Sequence, residues 1–211
     1  MNTLYLLLNL GSVSVPFLYS FHPRLQLHKR FIWIFISILL TMVIFIPEVS
    51  KIELFRDLVL PSETNAIHTL FGGELLARMD RAASIAAERH SGKIVVTASV
   101  NHVAFKHAVP LGSIVTVEAK ETRAFKSSME VYIDVWVDDK NTETSVKVNE
   151  AIFTFVAVDS DGYPIGIPQL VPETKEEILR YEGALRRKQL SLVLAGKMKA
   201  QEATELKALF S

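Results

Sequence analysis

Residues 71–92, FGGELLARMDRAASIAAERHSG, carry the clearest structural signal in the chain. Apolar and small residues recur three and four positions apart, which predicts an amphipathic α-helix from Glu74 to His90. The positions on its apolar side are Leu75, Leu76, Met79, Ala82, Ala83 and Ala86. Because half of these are alanine, the helix is slim, and another layer of structure can approach it closely. Gly92 is a typical residue for its end.

Four strand-like segments follow this helix. Valine-rich or alternating apolar and polar residues are typical of half-buried strands. The segments are 94–105, 114–124, 129–137 and 148–158. The loops between them are short, which favours antiparallel neighbours. The economical packing places the helix on the apolar face of this sheet, so an α+β fold is expected. Two helices are predicted in the tail, Pro172–Leu190 and Ala200–Phe210.

The first 47 residues differ sharply in charge from the rest of the chain. All 23 acidic residues of the 211-residue chain follow residue 47, whereas three of the 23 basic residues precede it. Two uncharged apolar stretches, 3–21 and 31–46, predict a pair of membrane-inserted helices. A cleaved signal peptide and a buried soluble helical hairpin are the alternatives. We therefore expect a hairpin at 1–47, a linker at 48–57, a core domain at 58–170 and a helical tail at 171–211.

Composition excludes several classes of function. The formal net charge is zero, which argues against a nucleic-acid partner. The chain has no cysteine, so disulfides, cysteine nucleophiles and thiolate metal sites are excluded. His102 and His107 are close in sequence, but no third ligand is evident, so no metal is expected. No cofactor is expected either.

The residues that could carry chemistry lie just before the predicted helix and along it. Gly72 and Gly73 precede it, and the free amides of a helix N-terminus can donate to a developing oxyanion. Asp80 follows two turns later on the same side, where its carboxylate could accept a proton from water. Plainer interpretations remain open, because a glycine pair can simply admit a close neighbour and Asp80 can pair with Arg81 at the surface.

The order of these motifs resembles that of the acyl-CoA thioesterases of the hotdog fold, from about Leu58 to Phe210. The likeness lies in the following segments: Thr64-Asn65, Phe71-Gly72-Gly73, Met79-Asp80, Val96 to Val100, Val103-Ala104-Phe105, Gly112, Arg123, Ser127 to Val131, Asn149-Glu150-Ala151 and Phe153 to Asp159. The resemblance implies a long central helix wrapped by an antiparallel sheet. It also implies active sites between paired protomers, with trimers of such dimers common.

The same resemblance implies roles for individual residues. Asp80 takes the position of the family's key carboxylate, with Gly72 and Gly73 beside the thioester carbonyl. Related enzymes place a second polar residue before the glycine pair; here that position is Thr69, and Asn65 is the nearest asparagine. This departure leaves the second catalytic residue open. The residues expected to contact the substrate are Phe105, Ser127, Ser128, Arg186 and Arg187.

The expected activity is hydrolysis of fatty acyl-CoA by a homo-oligomer with a cytoplasmic catalytic domain, with Asp80 as the general base on water or, alternatively, as the nucleophile. A non-catalytic acyl-CoA-binding module is the alternative. Residues 3–46 resemble the start of the lycopene cyclase domain family, through Leu8-Asn9-Leu10-Gly11-Ser12, Pro16 and Ser20-Phe21-His22-Pro23. This likeness leaves open an inner-membrane anchor, a fusion scar, or a membrane protein linked to carotenoid metabolism. The family's cyclase needs several more helices than this segment has, so no cyclase activity is carried over.

Overall fold

The computed structural model of the chain describes residues 4–10, 13–19, 48–138 and 144–210. The chain divides into two compact units, residues 1–43 and residues 44–211. Each unit is described by itself below.

The first unit contains an antiparallel β-hairpin. Strand β1, Leu4–Leu10, pairs with strand β2, Val13–Tyr19, and Leu7 lies opposite Pro16. The helix predicted over 3–21 is therefore wrong for these residues. A short apolar run does not distinguish a strand from a buried helix, and Pro16 would remove a hydrogen bond from a helix interior. The helix predicted at 31–46 lies outside the described residues.

No helix in the described part of the chain is long and apolar enough to span a membrane. The resemblance of residues 3–46 to the lycopene cyclase domain family stays a prediction.

The second unit is built on one antiparallel sheet of five strands. Its strands are β4 (Glu53–Leu58), β5 (Ile94–Phe105), β6 (Ile114–Ala124), β7 (Ser128–Asp138) and β8 (Ser145–Val158), in the order β4-β6-β7-β8-β5. Two short strands, β3 (Glu48–Val49) and β9 (Leu170–Val171), pair in parallel beside it. Three of the predicted strands match β5, β6 and β7 to within one residue at each end. Strand β8 begins three residues earlier than expected, and β4 lies in the stretch expected to be a linker.

Helix α1, Gly72–Ser91, packs across the apolar face of the sheet. Met79, Ala82 and Ala83 are fully buried, as their helical spacing predicts. They meet the residues of β7 that alternate towards the helix: Met129, Val131, Ile133 and Val135. Small side chains on α1 allow the sheet to curve closely around it. Gly92 ends the helix in the left-handed region, with φ of 62°.

The opposite face of the sheet carries polar residues and the tail. Helix α2, Lys175–Leu194, begins at a capping box in which Thr174 accepts from the amide of Glu177. Its residues contact the intervening positions of β7: Arg180 pairs with Asp134 and Arg187 with Glu130. The short final helix predicted for the tail is a 3-10 turn, Ala200–Glu202, followed by helix α3, Thr204–Lys207.

Glu150 on β8 joins three strands on this polar face. Its carboxylate accepts hydrogen bonds from Lys106 Nζ at 2.7 Å, Lys147 Nζ at 2.9 Å and the Tyr132 hydroxyl at 3.1 Å. The hydrogen bond from Lys106, followed by that from Lys147, lowers the pKa of Glu150 to about 2, although burial opposes the shift.

This shift predicts a pH-dependent contribution to stability. The folded pKa lies below the unfolded value of about 4.3, so ionised Glu150 stabilises the fold above that pH and loses this effect as pH falls towards 2. We expect Glu150→Gln to lower the melting temperature near neutral pH, with the difference from wild type shrinking between about pH 5 and pH 2. A difference that stays constant in melts across this range would contradict the assignment.

Candidate active site

The start of helix α1 presents backbone amides that no N-cap side chain occupies. The N-cap residue, Phe71, provides no side-chain hydrogen bond. First-turn amides have no acceptor within their own helix, so those of Gly72 and Gly73 can donate to a ligand. A Cβ atom added at Gly72 would lie 3.6 Å from the Phe105 ring, and one at Gly73 would lie 3.1 Å from the ring of Phe71. Glycine therefore lets two aromatic rings approach the helix start.

Asp80 lies two turns further along α1 and contacts the edge strand of the sheet. The hydroxyl of Thr97 on β5 donates a hydrogen bond of 2.7 Å to Asp80 Oδ1. Asp80 is half-buried and Thr97 is exposed. Within residues 48–138 and 144–210 the second carboxylate oxygen, Oδ2, has no hydrogen-bond partner, so it can accept a proton. No role was predicted for Thr97; the available signal was a hydroxyl-bearing residue in the valine-rich stretch IVVTASV.

Within one protomer, the amides at the start of α1 and the Asp80 carboxylate lie too far apart to act on the same carbonyl group. Seven residues separate Gly73 from Asp80, and the rise of an α-helix makes that about 10 Å. A base that activates water must lie within one water molecule of the carbonyl that the amides hold. A site that used both groups on one carbonyl would need an amide pair from a second protomer opposite Asp80.

Asn65 and Thr69 belong to one tight loop before the helix. The Asn65 side chain donates to Thr69 Oγ1 at 2.9 Å and accepts from the amides of Ile67 and Thr69. His68, between them, has a φ of 58°, in the left-handed region. Within a single protomer this pairing holds the loop, so the candidates for the second catalytic role are hydrogen-bonded to each other.

A cavity of about 320 Å³ opens beside the helix start. The residues that line it are Leu70, Gly72, Leu75, Phe105, Lys106, His107, Ala108, Val109 and Asn149. Phe105, which is predicted to contact the substrate, lies in this wall. Asn149 is only 1% exposed, and neither its Nδ2 nor its Oδ1 has a hydrogen-bond partner among the described residues.

The other expected substrate-binding residues lie on the opposite face of the sheet. Lys188 Nζ donates to Ser128 Oγ at 3.2 Å and lies 3.6 Å from the centre of the Phe125 ring. Burial, followed by the nearby Arg123 guanidinium, lowers the pKa of Lys188. The carbonyl of Ser127 accepts from the amide of Ala157. Arg186 and Arg187 lie on α2, so the structure separates this group from Asp80.

Arg187 forms a two-point ion pair with a buried carboxylate. Its Nε and Nη2 lie 2.9 and 2.7 Å from the two carboxylate oxygens of Glu130, which is 4% exposed. Thr122 Oγ1 donates to the same carboxylate at 2.6 Å. Paired guanidinium–carboxylate contacts of this kind are strong and directional. This arrangement gives Arg187 a structural partner.

We expect Arg187→Met to destabilise the fold by about 2 kcal/mol, because it leaves the Glu130 carboxylate buried with fewer donors. Denaturant unfolding measures this loss, with the adjacent Arg186→Met as the matched control. The KM for an acyl-CoA should change less than about threefold in Arg187→Met, because Glu130 already holds the Arg187 guanidinium. A large rise in KM for Arg187→Met at unchanged stability would restore the phosphate-binding role.

No metal site is evident in residues 48–138 and 144–210, because no three histidine, aspartate or glutamate side chains converge there. His102 and His107 are both exposed.

The chain is similar to proteins of known family. Residues 68–144 match the family described as the thioesterase superfamily. The uncharacterized acyl-CoA thioester hydrolase YkhA of Bacillus subtilis is 40% identical over 129 residues, which cover 61% of this chain and 75% of that protein. Protein VdlD of Helicobacter pylori is 39% identical over 137 residues, covering 65% of this chain and 78% of VdlD.

Solved structures agree with this similarity. A hexameric acyl-CoA thioesterase in its apo form superposes with a TM-score of 0.66 at 38% identity, covering 68% of this chain and 92% of that one. The acyl-CoA hydrolase of Staphylococcus aureus, solved with butyryl coenzyme A and coenzyme A, superposes with a TM-score of 0.64 at 33% identity. That match covers 74% of this chain and 94% of the other.

Three further structures of the S. aureus enzyme have alanine in place of an aspartate, an asparagine or a threonine. In that protein the asparagine precedes the aspartate by 15 residues, and the threonine follows the aspartate by 17. Asn65, Asp80 and Thr97 have the same two spacings in this chain. In the structure, Asp80 and Thr97 are joined by a hydrogen bond.

Proposed function

The chain belongs to the acyl-CoA thioester hydrolases of the thioesterase superfamily, and we propose that it hydrolyses fatty acyl-CoA with Asp80 as the general base. The observation that carries the assignment of the base is the hydrogen bond from Thr97 to Asp80 Oδ1. That contact fixes one carboxylate oxygen and leaves the other free for a proton. Enzyme activity follows from the family, whereas the residue roles are our proposal.

The proposed reaction is the addition of water to the thioester carbonyl. Asp80 takes a proton from the water molecule while the oxygen of that water bonds to the carbonyl carbon. The negative charge that develops on the carbonyl oxygen is held by the amides of Gly72 and Gly73 at the start of α1. The carbon–sulfur bond then breaks, the free fatty acid forms, and the sulfur of coenzyme A recovers the proton from Asp80.

Two protomers complete the proposed site. The amides of one copy and the Asp80 of another can face the same carbonyl, which one copy alone does not allow. Strand β5 ends the sheet and exposes several apolar side chains: Ile94, Val96, Val100 and Phe105. Pairing of two such edges would extend the sheet across a dimer and bring both copies of Thr97 to the interface. Oligomeric relatives, described as hexameric, support this arrangement.

Asn65 is the proposed second polar residue of the site. Its spacing to Asp80 matches that of the substituted asparagine in the S. aureus enzyme. Its side chain holds Thr69 in the single protomer, so Thr69 acts as a positioning residue. Ser127, Ser128 and Arg186 keep their proposed role at the coenzyme A end of the substrate. Arg187 instead has a structural role, as the ion-pair partner of Glu130.

Release of free thiol from a panel of acyl-CoA thioesters, from acetyl to palmitoyl, tests the function. We expect the full-length protein to release coenzyme A well above the rate without protein. Binding of acyl-CoA without any thiol release would favour a non-catalytic binding module and overturn the proposal.

The described catalytic unit is expected to act without the first 47 residues. Cutting after residue 47 keeps β3, which pairs with β9, and Ser50, which donates to the backbone carbonyl of Glu121 at 2.9 Å. We expect this shortened protein to retain the full kcat/KM of the complete chain and to stay in the supernatant after ultracentrifugation of a cell lysate. Activity confined to the complete chain in the membrane pellet would instead support an inner-membrane anchor.

A further inference from the structure

We propose that Asn149 determines which acyl group the cavity accepts, and that it selects short acyl chains with an oxygen on the β-carbon. Such groups are the 3-hydroxyacyl and 3-oxoacyl thioesters. The proposal rests on the function proposed above and names the substrate class of the same site.

Asn149 lies at the junction of three strands beneath the start of α1. It is opposite Phe105 on β5 and Val135 on β7. Residues two and four positions further along β8, Ala151 and Phe153, are core residues on the helix side of the sheet. Because strand side chains alternate, Asn149 also faces the helix side. A polar amide thus occupies a position that the pattern of β8 reserves for an apolar core residue.

The amide is buried without a partner. Asn149 is 1% exposed, and neither Nδ2 nor Oδ1 has a hydrogen bond within residues 48–138 and 144–210. Buried side-chain amides are nearly always hydrogen-bonded, so an unpaired one calls for an explanation such as a ligand. Asn149 also lines the cavity of about 320 Å³ beside Gly72, which supplies the ligand space.

The remaining wall indicates what the ligand carries. Leu70, Leu75 and Val109 are buried apolar residues of this wall, and they favour hydrocarbon. Lys106 and His107 are exposed, and Lys106 is paired with Glu150 at 2.7 Å. Asn149 is therefore the buried polar group of the described wall, and it lines the same cavity as Gly72.

The amide can both donate and accept, so it matches one oxygen on the acyl chain. A hydroxyl can accept from Nδ2 and donate to Oδ1, and a ketone oxygen can accept from Nδ2. A plain alkyl chain would leave both atoms unpaired, and a site built to bind a substrate oxygen discriminates strongly against such an analogue. The volume is at the lower end for ligand pockets, which restricts the chain to a few carbons.

The test compares three thioesters of equal chain length: butyryl-CoA, 3-hydroxybutyryl-CoA and acetoacetyl-CoA. We expect the wild-type kcat/KM to be at least about tenfold higher for the two oxygenated substrates than for butyryl-CoA. Asn149→Leu, similar in size but without hydrogen-bonding groups, should bring that ratio close to one by lowering kcat/KM for the two oxygenated substrates more than for butyryl-CoA. Gln189→Leu is the matched control, because it removes a buried amide on α2 and should leave the ratio unchanged.

A wild-type ratio near one would overturn the proposal. So would an equal loss on all three substrates in Asn149→Leu, which would place the amide at the thioester carbonyl. The ratio of dissociation constants for the three thioesters, measured by calorimetry on the Asp80→Asn protein, gives the same comparison without turnover. A preference in binding together with no hydrolysis by wild type would therefore sink the proposed function and keep the role of Asn149.

Discussion

Asp80→Asn is expected to lower kcat/KM for acyl-CoA by about 1,000-fold. The amide has the shape of the carboxylate and can still accept from Thr97, so the loss isolates the proton-accepting role. Most of the effect should fall on kcat, since the proposed base acts on water and does not hold the substrate. Thiol release at saturating substrate measures kcat, and size-exclusion chromatography checks that the assembly survives.

Two further variants distinguish this role from a structural one. Glu88→Gln removes an exposed carboxylate from the same helix and should leave the rate unchanged. Thr97→Val should lower kcat by about tenfold on its own and by nothing further in the Asp80→Asn background, because the hydroxyl acts through the carboxylate. Retention of more than about a tenth of the activity in Asp80→Asn would rule out the assignment of the base.

Arg78→Met is expected to destabilise the second unit by about 3 kcal/mol. The Arg78 side chain is 1% exposed, and its Nη2 lies 2.8 Å from Glu63 and 3.1 Å from Asp57. It also donates to the carbonyl of Leu58 at 3.3 Å. Methionine fills much of the space but leaves the partly buried Glu63 carboxylate without its cation.

Chemical denaturation of the wild type and the variant at one protein concentration measures this loss. Arg89→Met is the matched control, since Arg89 lies on the same helix as Arg78 and is paired with Glu53 of β4, but its side chain is 66% exposed. Exposed pairs of this kind contribute little, so that variant should stay within about 1 kcal/mol of wild type. Equal losses of unfolding free energy in the two variants would show that the burial of Arg78 makes no additional contribution to stability.

The sheet and the central helix were predictable because local patterns specify them. The alternation along β7 and the helical spacing from Leu75 to Ala86 are both interpretable without tertiary contacts. Strand β4 was missed because ELFRDL is short, half charged and next to a break in composition. The hairpin β1–β2 was missed because uniform apolar runs lack a period, and length alone favoured helices.

The candidate site was predictable only in part, because some of its contacts join residues that are far apart in the sequence. Asp80 and the glycine pair belong to one helix, so their spacing is visible in the sequence. The role of Thr97 depends on β5 lying beside α1, and the sequence does not show that neighbour. The partner of Arg187 is Glu130, which lies 57 residues earlier in the chain. Because that contact is not visible in the sequence, Arg187 was predicted to bind a phosphate group of coenzyme A.

The open edge of β5 also links folding to protein concentration. A newly made single chain carries a twelve-residue strand with one unpaired row of backbone groups and exposed Ile94, Val96 and Val100. Such an edge is a template for unwanted strand addition until a proper neighbour covers it. In the dimer proposed above, assembly would therefore protect the chain from aggregation as well as complete the site. The unfolding midpoint of the protein should rise with protein concentration, because association stabilises the folded chain and not the unfolded one.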